Sequence, residues 1–371
     1  LARELYRRRH LERIYSTFPR FRLRREGLPA ELVETFPWIH TSEFALAKFG
    51  WDWPRVSDQL GYWNALAFDR WTERRLPPCD ALIGLAGSCL RTGRLVQERG
   101  GIFICDRGST HQRYQERIVS EEYARWGLSR PVSDIRDTLR EEAIYAMADA
   151  ITVPSHLAAR TFVELGIPEA KMHVIPYGVR LENFHPTSPP VDGTFEALFA
   201  GAAGLRKGLP YLLEAFARVD HPRKRLRIAG GVQPEMRGLL AHLPQQHVEW
   251  LGVLGQDALR DAMSSSHLLV LPSIEEGLAL VQAQAMACGC PVLCSTNTGG
   301  EDLFADGVEG FIVPIRDVDA LTTRMQQVAS DPALQQRLRT AALERVRTIG
   351  GWKEYGDRWE ELLYTMTGAR K

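Results

Sequence analysis

Residues 267–295 read HLLVLPSIEEGLALVQAQAMACGCPVLCS. The run HLLVLPS is short, apolar and closed by a Pro-Ser turn, the pattern of a strand buried on both faces. LALVQAQAMAC follows with helical spacing and stops at Gly289, a residue suited to a helix C-terminus. PVLCS is a second apolar strand. Strand, helix and strand in so few residues predict a βαβ unit, with two parallel strands and a crossover helix.

The same alternation extends outward. FEALFA (195–200), RLRIAGG (225–231) and VEWLGVL (248–254) read as strands. Leu209, Leu212, Leu213, Phe216 and Val219 recur at helical spacing, and DALRDAMSSS (257–266) reads as a short helix. Upstream, HLERIYSTF (10–18), DALIGLAG (80–87), GGIFICD (100–106), ADAITVPS (148–155) and KMHVIPYGV (171–179) read as strands. The segment 44–75 carries tryptophans at 51, 53, 63 and 71 and reads as an insertion or helical pair. Its rings either pack or hold a sugar or lipid acceptor. VRLENFHPTSPPVDGT (179–194) has three prolines and little periodicity, as a linker would. The expected class is therefore α/β, with two doubly wound, Rossmann-like parallel-sheet domains facing across a cleft. Residues 1–185 would form the first domain and 186–350 the second, leaving 351–371 as a terminal helix.

Composition bounds the function. A length of 371 residues suits two domains. Forty-six basic and forty-six acidic residues cancel, which argues against a nucleic-acid partner. No apolar run is long enough to span a membrane, and the chain is expected to be cytoplasmic. Residues 1–30 nevertheless hold nine arginines against three glutamates. That excess is either a solvated face or a patch for peripheral contact with anionic lipid or an acidic acceptor. The cysteines at 79, 89, 105, 288, 290 and 294 form no zinc-binding spacing and read as small buried apolar groups.

Ligands of such sheets bind beyond the carboxyl ends of strands, so the loops there are the candidates. GAAGLRKG (201–208) offers glycines, among them Gly201 and Gly204, that admit close backbone approach, and Arg206 and Lys207 beside a helix start. A diphosphate fits that chemistry, with arginine as a fork and lysine as a point charge. In PSIEEGLALVQAQ, Glu276 is expected at the helix start and Gly277 to admit a ligand. Eight helical steps would put Gln284 about 80° around from Glu276 and roughly 12 Å along. In GGIFICDRGSTH, Asp106 and His111 could act on or orient a hydroxyl. The Asp-x-Asp of RDVDAL (316–321) precedes a helical pattern, so Asp317 or Asp319 reads as a cap rather than a metal ligand.

Taken together, these residues resemble the retaining glycosyltransferases of family 4, which have the GT-B fold. The likeness runs from about residue 130 to the end. It is carried by ITVPSHLAARTFVELGIPEAKMHVIPYGVRLENFHP, by GLRKGLPYLLEAFARV, and by VEWLGVL through GFIVP, with GWKEYGDRWEELL (351–363) resembling the helix that crosses back to the first domain. The resemblance implies a nucleotide-sugar donor, such as a UDP-, GDP- or ADP-sugar, and neither metal nor other cofactor. Arg206 and Lys207 match the residues on its diphosphate, with Gly201 and Gly204 in the same loop. Glu276 matches the first glutamate of the E-x7-E motif, on the transferred sugar. Gly277, Leu278 and Ala279 match the turn whose N–H groups face the donor. The second glutamate, which holds the ribose, is replaced by Gln284, which loses a charge-assisted bond. Many members carry a histidine directly after the strand GIFICD; here Asp106 stands there and His111 follows.

The family also begins with a strand and a glycine-rich loop, whereas LARELYRRRH resembles the helix after them, so a truncated chain is expected. The implied activity is transfer of a sugar to a polysaccharide, lipid-linked or small-molecule hydroxyl. The alternative is a weak or inactive sugar-nucleotide-binding protein of the same fold, for which Gln284 is the motive.

Overall fold

The computed structural model describes residues 1–38, 54–130 and 134–368. Trp51 and Trp53 lie outside them. The Arg-rich opening forms helix α1 (Ala2–Arg7), and strands β1 (Ile14–Ser16) and β2 (Val33–Thr35) pair in parallel as a small sheet of their own. Helix α2 (Pro54–Glu73) follows. Trp71 packs in this region, stacked with Phe68, tilted against Phe36 and edge-on to Tyr15.

Strand and helix then alternate as β3 (Ala81–Leu85), α3 (Leu90–Glu98), β4 (Ile102–Asp106), α4 (Gln112–Arg125), α5 (Ile135–Met147), β5 (Ala150–Val153), α6 (His156–Glu164) and β6 (Met172–Val174). The four strands form a parallel sheet in chain order. Residues 175–194 contain neither strand nor helix. This stretch includes the proline-rich run, where missing N–H groups and fixed φ angles disfavour both.

The second half contains β7 (Phe195–Ala200), α7 (Leu209–Arg218), β8 (Lys224–Ala229), β9 (Val248–Gly252), α8 (Gln256–Ser264), β10 (Leu268–Leu271), α9 (Val281–Ala287), β11 (Val292–Ser295) and β12 (Gly310–Val313). Helices α10 (Val318–Ser330), α11 (Pro332–Val346) and α12 (Trp352–Thr367) complete it. Asp317 caps α10 by accepting the Ala320 N–H at 2.8 Å. The six strands run parallel in the order β12-β11-β10-β7-β8-β9. Every residue of β7, β10 and β11 is buried, because helices cover both faces of the sheet. The chain lays β8 and β9 to one side of β7 and β10 to β12 to the other. Crossovers on the two sides leave in opposite directions, and a crevice opens between β7 and β10 at their carboxyl ends.

Two features join the halves. Helix α12 returns to the first sheet, where Tyr355, Trp359 and Leu362 pack with Ile104, Ala150 and Ile175. Arg8 fastens it, donating to Asp357 at 2.7 Å and to the Lys353 carbonyl at 2.9 Å. Gly356 makes room, since a Cβ there would lie 2.4 Å from Arg8 Nη1. Other arginines of the opening are paired as well, Arg3 with Glu26, Arg7 with Glu4 and Arg13 with Glu34. The second feature is α4, whose Ile118 and Val119 belong to the hydrophobic core of the second sheet although the helix precedes β5 in the chain. Among the described residues no helix is long and apolar enough to cross a membrane, and the six cysteines are free thiols.

Trp359 is fully buried. Trp359→Ala is expected to destabilise the protein by about 3–5 kcal/mol, through lost transfer energy and the cavity left behind. Urea unfolding checks this, and a loss under ~1 kcal/mol would show that the returning helix contributes little.

Candidate functional site

The crevice brings two loops into contact. The Ile274 N–H donates to the Arg206 carbonyl at 2.8 Å. Gly208 has φ +66°, and a Cβ there would lie 2.0 Å from the Pro272 carbonyl oxygen, so no other residue fits without moving the loops apart. Arg206 and Lys207 are thereby set against residues 272–276. The Lys207 ammonium pairs closely with the Glu276 carboxylate. It lies over Gly201, where a Cβ would be 3.9 Å from Nζ. Arg206 Nη1 donates to both the side chain and the carbonyl of Glu275, each at 3.2 Å, and stands 3.8 Å from Glu276. Its remaining N–H groups have no acceptor among the described residues, and 41% of the side chain is exposed. Gly204 turns away from this cluster and packs on Gln233 and Glu235.

Glu275 is the residue that sequence reasoning left without a role. Its side chain is 0% exposed. Ser109 Oγ and Thr110 Oγ1 donate to Oε1 at 2.8 and 2.7 Å, and Gln115 Nε2 donates to Oε2 at 2.8 Å. All three donors come from the first half of the chain. Burial by itself raises the Glu275 carboxyl, but the hydrogen bonds from Thr110 and Ser109, the Arg206 charge and the Gln115 amide outweigh it. The group is held below the usual carboxylate range. The only signals in the sequence were a doubled glutamate and an adjacent Ser-Thr pair, which say nothing about each other until the fold joins them.

A second buried carboxylate makes the reverse connection. Glu122 on α4 accepts from Tyr211 at 2.7 Å and from Arg316 at 2.7 Å, both in the second half, and from Trp126 at 2.9 Å. Ser155 Oγ donates to the Gly277 carbonyl at 2.6 Å. Helix α4 and the loop before it are therefore fastened across the crevice at both ends.

Three expectations about residues 276–284 change. Helix α9 begins at Val281, so Glu276 lies on an irregular loop and the helical arithmetic linking it to Gln284 does not apply. Gln284 sits on α9, half-buried. Gly277 admits protein rather than open space. A Cβ there would lie 2.5 Å from the Gly108 carbonyl oxygen and 2.7 Å from Ser109 Cα. The Ala279 N–H donates to the Thr298 carbonyl at 3.1 Å and so is engaged within the protein. Among the described residues the N–H groups of Glu276, Gly277 and Leu278 have no acceptor.

Comparison with known proteins matches this arrangement to two family models that meet end to end. The model described as Glycosyltransferase Family 4 matches residues 108–183, and the one described as Glycosyl transferases group 1 matches 182–345. Over residues 108–345 the chain is similar to the glycosyltransferases these two models describe. It is 28% identical over 254 residues to D-inositol 3-phosphate glycosyltransferase from Kribbella flavida, a match covering 62% of this chain and 58% of that protein. The chain thus spans less than two thirds of that relative's length. Its fold is similar to that of sucrose-phosphate synthase from Thermosynechococcus elongatus, with a TM-score of 0.65 and 24% identity over 82% of this chain and 78% of that one. It is also similar to Anabaena HepE, solved in complex with UDP, with a TM-score of 0.66 and 13% identity over 93% and 89% of the two chains. The fold is GT-B.

Neither candidate of the first domain joins the charged cluster. Asp106 accepts from Thr152 Oγ1 at 2.9 Å, and burial raises its carboxyl. Its negative charge adds to the burial that raises the Tyr177 and Tyr355 hydroxyls, the latter on the returning helix. His111 is 2% exposed. Its Nδ1 accepts the Arg113 N–H at 3.1 Å and caps α4, while Tyr145 and Phe162 meet the ring edge-on at 5.0 and 4.9 Å. An imidazole enclosed this way orders a helix start and is almost closed to solvent. The expectation that His111 orients an acceptor is corrected accordingly.

Burial lowers the His111 imidazole to about 4. The unfolded chain takes up a proton near pH 6.5 that the folded chain refuses. His111 therefore contributes stability above pH 6.5 that is lost as pH falls toward 4. His111→Asn keeps a capping oxygen and cannot titrate. Its stability deficit relative to wild type is expected to shrink by on the order of 1–2 kcal/mol between pH 7 and pH 5. Urea unfolding at both values reads this, and a pH-independent deficit contradicts it.

Proposed function

We propose that the chain transfers a sugar from a nucleotide diphosphate sugar to an acceptor hydroxyl with retention at the anomeric carbon. The observation that carries this reading is Arg206 and Lys207 held with Glu276 at the mouth of the crevice. As the bond from the anomeric carbon to the diphosphate oxygen breaks, negative charge gathers on the leaving group. A guanidinium with unused N–H groups and a neighbouring ammonium stabilise that charge without reorganising. The free N–H groups of Glu276, Gly277 and Leu278 supply further donors. Glu276 orients hydroxyls of the transferred sugar, and Gln284 takes a ribose hydroxyl. The acceptor hydroxyl attacks from the face the leaving group departs, and its proton passes to a phosphate oxygen of the donor. Fixed cations supply the positive charge this step needs, so no metal or other cofactor is proposed. The UDP-bound relative makes UDP-sugars the first donors to test, ahead of GDP- and ADP-sugars. The acceptor is a sugar, a polysaccharide or a lipid-linked glycoside approaching from the first domain.

A donor screen that follows nucleotide release, with the product anomer read by NMR, tests the reading. Binding without release for every donor and acceptor would overturn it, and an inverted product would overturn retention. Arg206→Ala and Lys207→Ala are each expected to lower donor affinity about tenfold or more, as loss of a charge-assisted contact does. Unchanged affinity in both would remove the diphosphate assignment. Gln284→Glu restores a charged acceptor and is expected to raise nucleotide affinity roughly threefold, by calorimetric titration.

A further inference from the structure

The Glu275 site contains a competition. Arg206 can neutralise Glu275, or it can meet an anion in the crevice, and one guanidinium cannot serve both fully. Its contact with Glu275 uses one nitrogen at 3.2 Å, longer than the 2.7–2.8 Å bonds from Thr110, Ser109 and Gln115. Three short bonds from the first half of the chain thus solvate most of the buried carboxylate. Arg206 is left with free N–H groups on an exposed side chain. Gly277 permits this docking, because only a residue without a Cβ lets the 108–109 backbone approach.

We propose that Glu275 is a positioning residue that couples docking of the loop carrying Ser109 and Thr110 to the availability of Arg206 for the donor diphosphate. The inference rests on the donor reading given above and deepens it. When the loop is docked, its hydroxyls hold the Glu275 carboxylate and Arg206 projects into the crevice. When the hydroxyls are removed, the buried carboxylate must find another partner, since an unsolvated charge is costly. Arg206 is the cation already in contact. It folds onto Glu275 and its charge is lost to the diphosphate. The acceptor-bearing half of the chain thereby controls how strongly the other half holds the donor.

The test is a mutant cycle read by calorimetric titration with UDP, GDP and ADP, and separately by thermal unfolding. The pair Ser109→Ala and Thr110→Val touches neither cation, yet it is expected to weaken nucleoside diphosphate binding about tenfold, the scale of hydrogen bonds to a buried charge. Thr110→Ser keeps the hydroxyl and is expected to stay within about twofold of wild type. In an Arg206→Ala background the loop pair is expected to cost nothing more, because its target is gone. The same loss of effect is expected in Glu275→Gln, and Arg206→Ala, on a partly exposed side chain, carries the test if that variant does not fold. Wild-type protein that binds none of the three nucleotides overturns the donor reading, and this inference with it. Wild-type binding that is unaffected by the loop pair, or weakened equally in the Arg206→Ala background, overturns the coupling and leaves the donor reading intact.

Discussion

A carboxylate removed from water needs several hydrogen bonds or a cation, and Glu275 obtains its donors from both halves of the chain. That requirement fixes where the 107–111 loop must lie and, through Gln115, where α4 begins. Glu122 applies the same constraint at the other end of α4 by drawing in Tyr211 and Arg316. Two buried charges facing opposite ways are a stronger specification of docking than an apolar contact, because breaking either leaves an unsolvated ion. Apolar packing of Ile118 and Val119 fills the space between them.

The sheet supplies the platform on which this happens. A parallel six-stranded sheet with its order reversing between β7 and β10 brings two loops together that are far apart in the chain. Gly208 against Pro272 and the Arg206 to Ile274 hydrogen bond close the distance to atomic contact. Charge then accumulates at one point, with two cations and two carboxylates in mutual contact. The balance among them decides what the site binds, which is why a neighbour such as Thr110 matters although it faces only Glu275.

Much of this was legible from local patterns. The strand runs around PSIEEGLALVQAQAMACGCPVLCS and FEALFAGAAGLRKG were readable because alternation, apolar length and glycine punctuation are properties of neighbouring residues. Arg206, Lys207 and Glu276 were singled out on the same basis and do meet. The failures share a cause. His111 looked like chemistry because histidine after a strand often is, but its partners Tyr145 and Phe162 come from other helices. Gly277 looked like a ligand cradle, and the fold fills it with Gly108 and Ser109. Glu276 and Gln284 were related by helical angles that the irregular loop before Val281 does not follow.

The sequence by itself determined the alternation of strand and helix, the break before Phe195, and the glycine-bearing loops with their cations, because each depends on residues within a few positions of one another. The tertiary structure alone decided which carboxylate is buried and what solvates it. It decided as well that α4 packs with the half of the chain it does not belong to, and that an imidazole serves as a cap. Those outcomes depend on burial and on partners up to 194 residues away, as between Glu122 and Arg316. Charge, hydrogen bonding and excluded volume act between atoms that only the completed fold brings within reach.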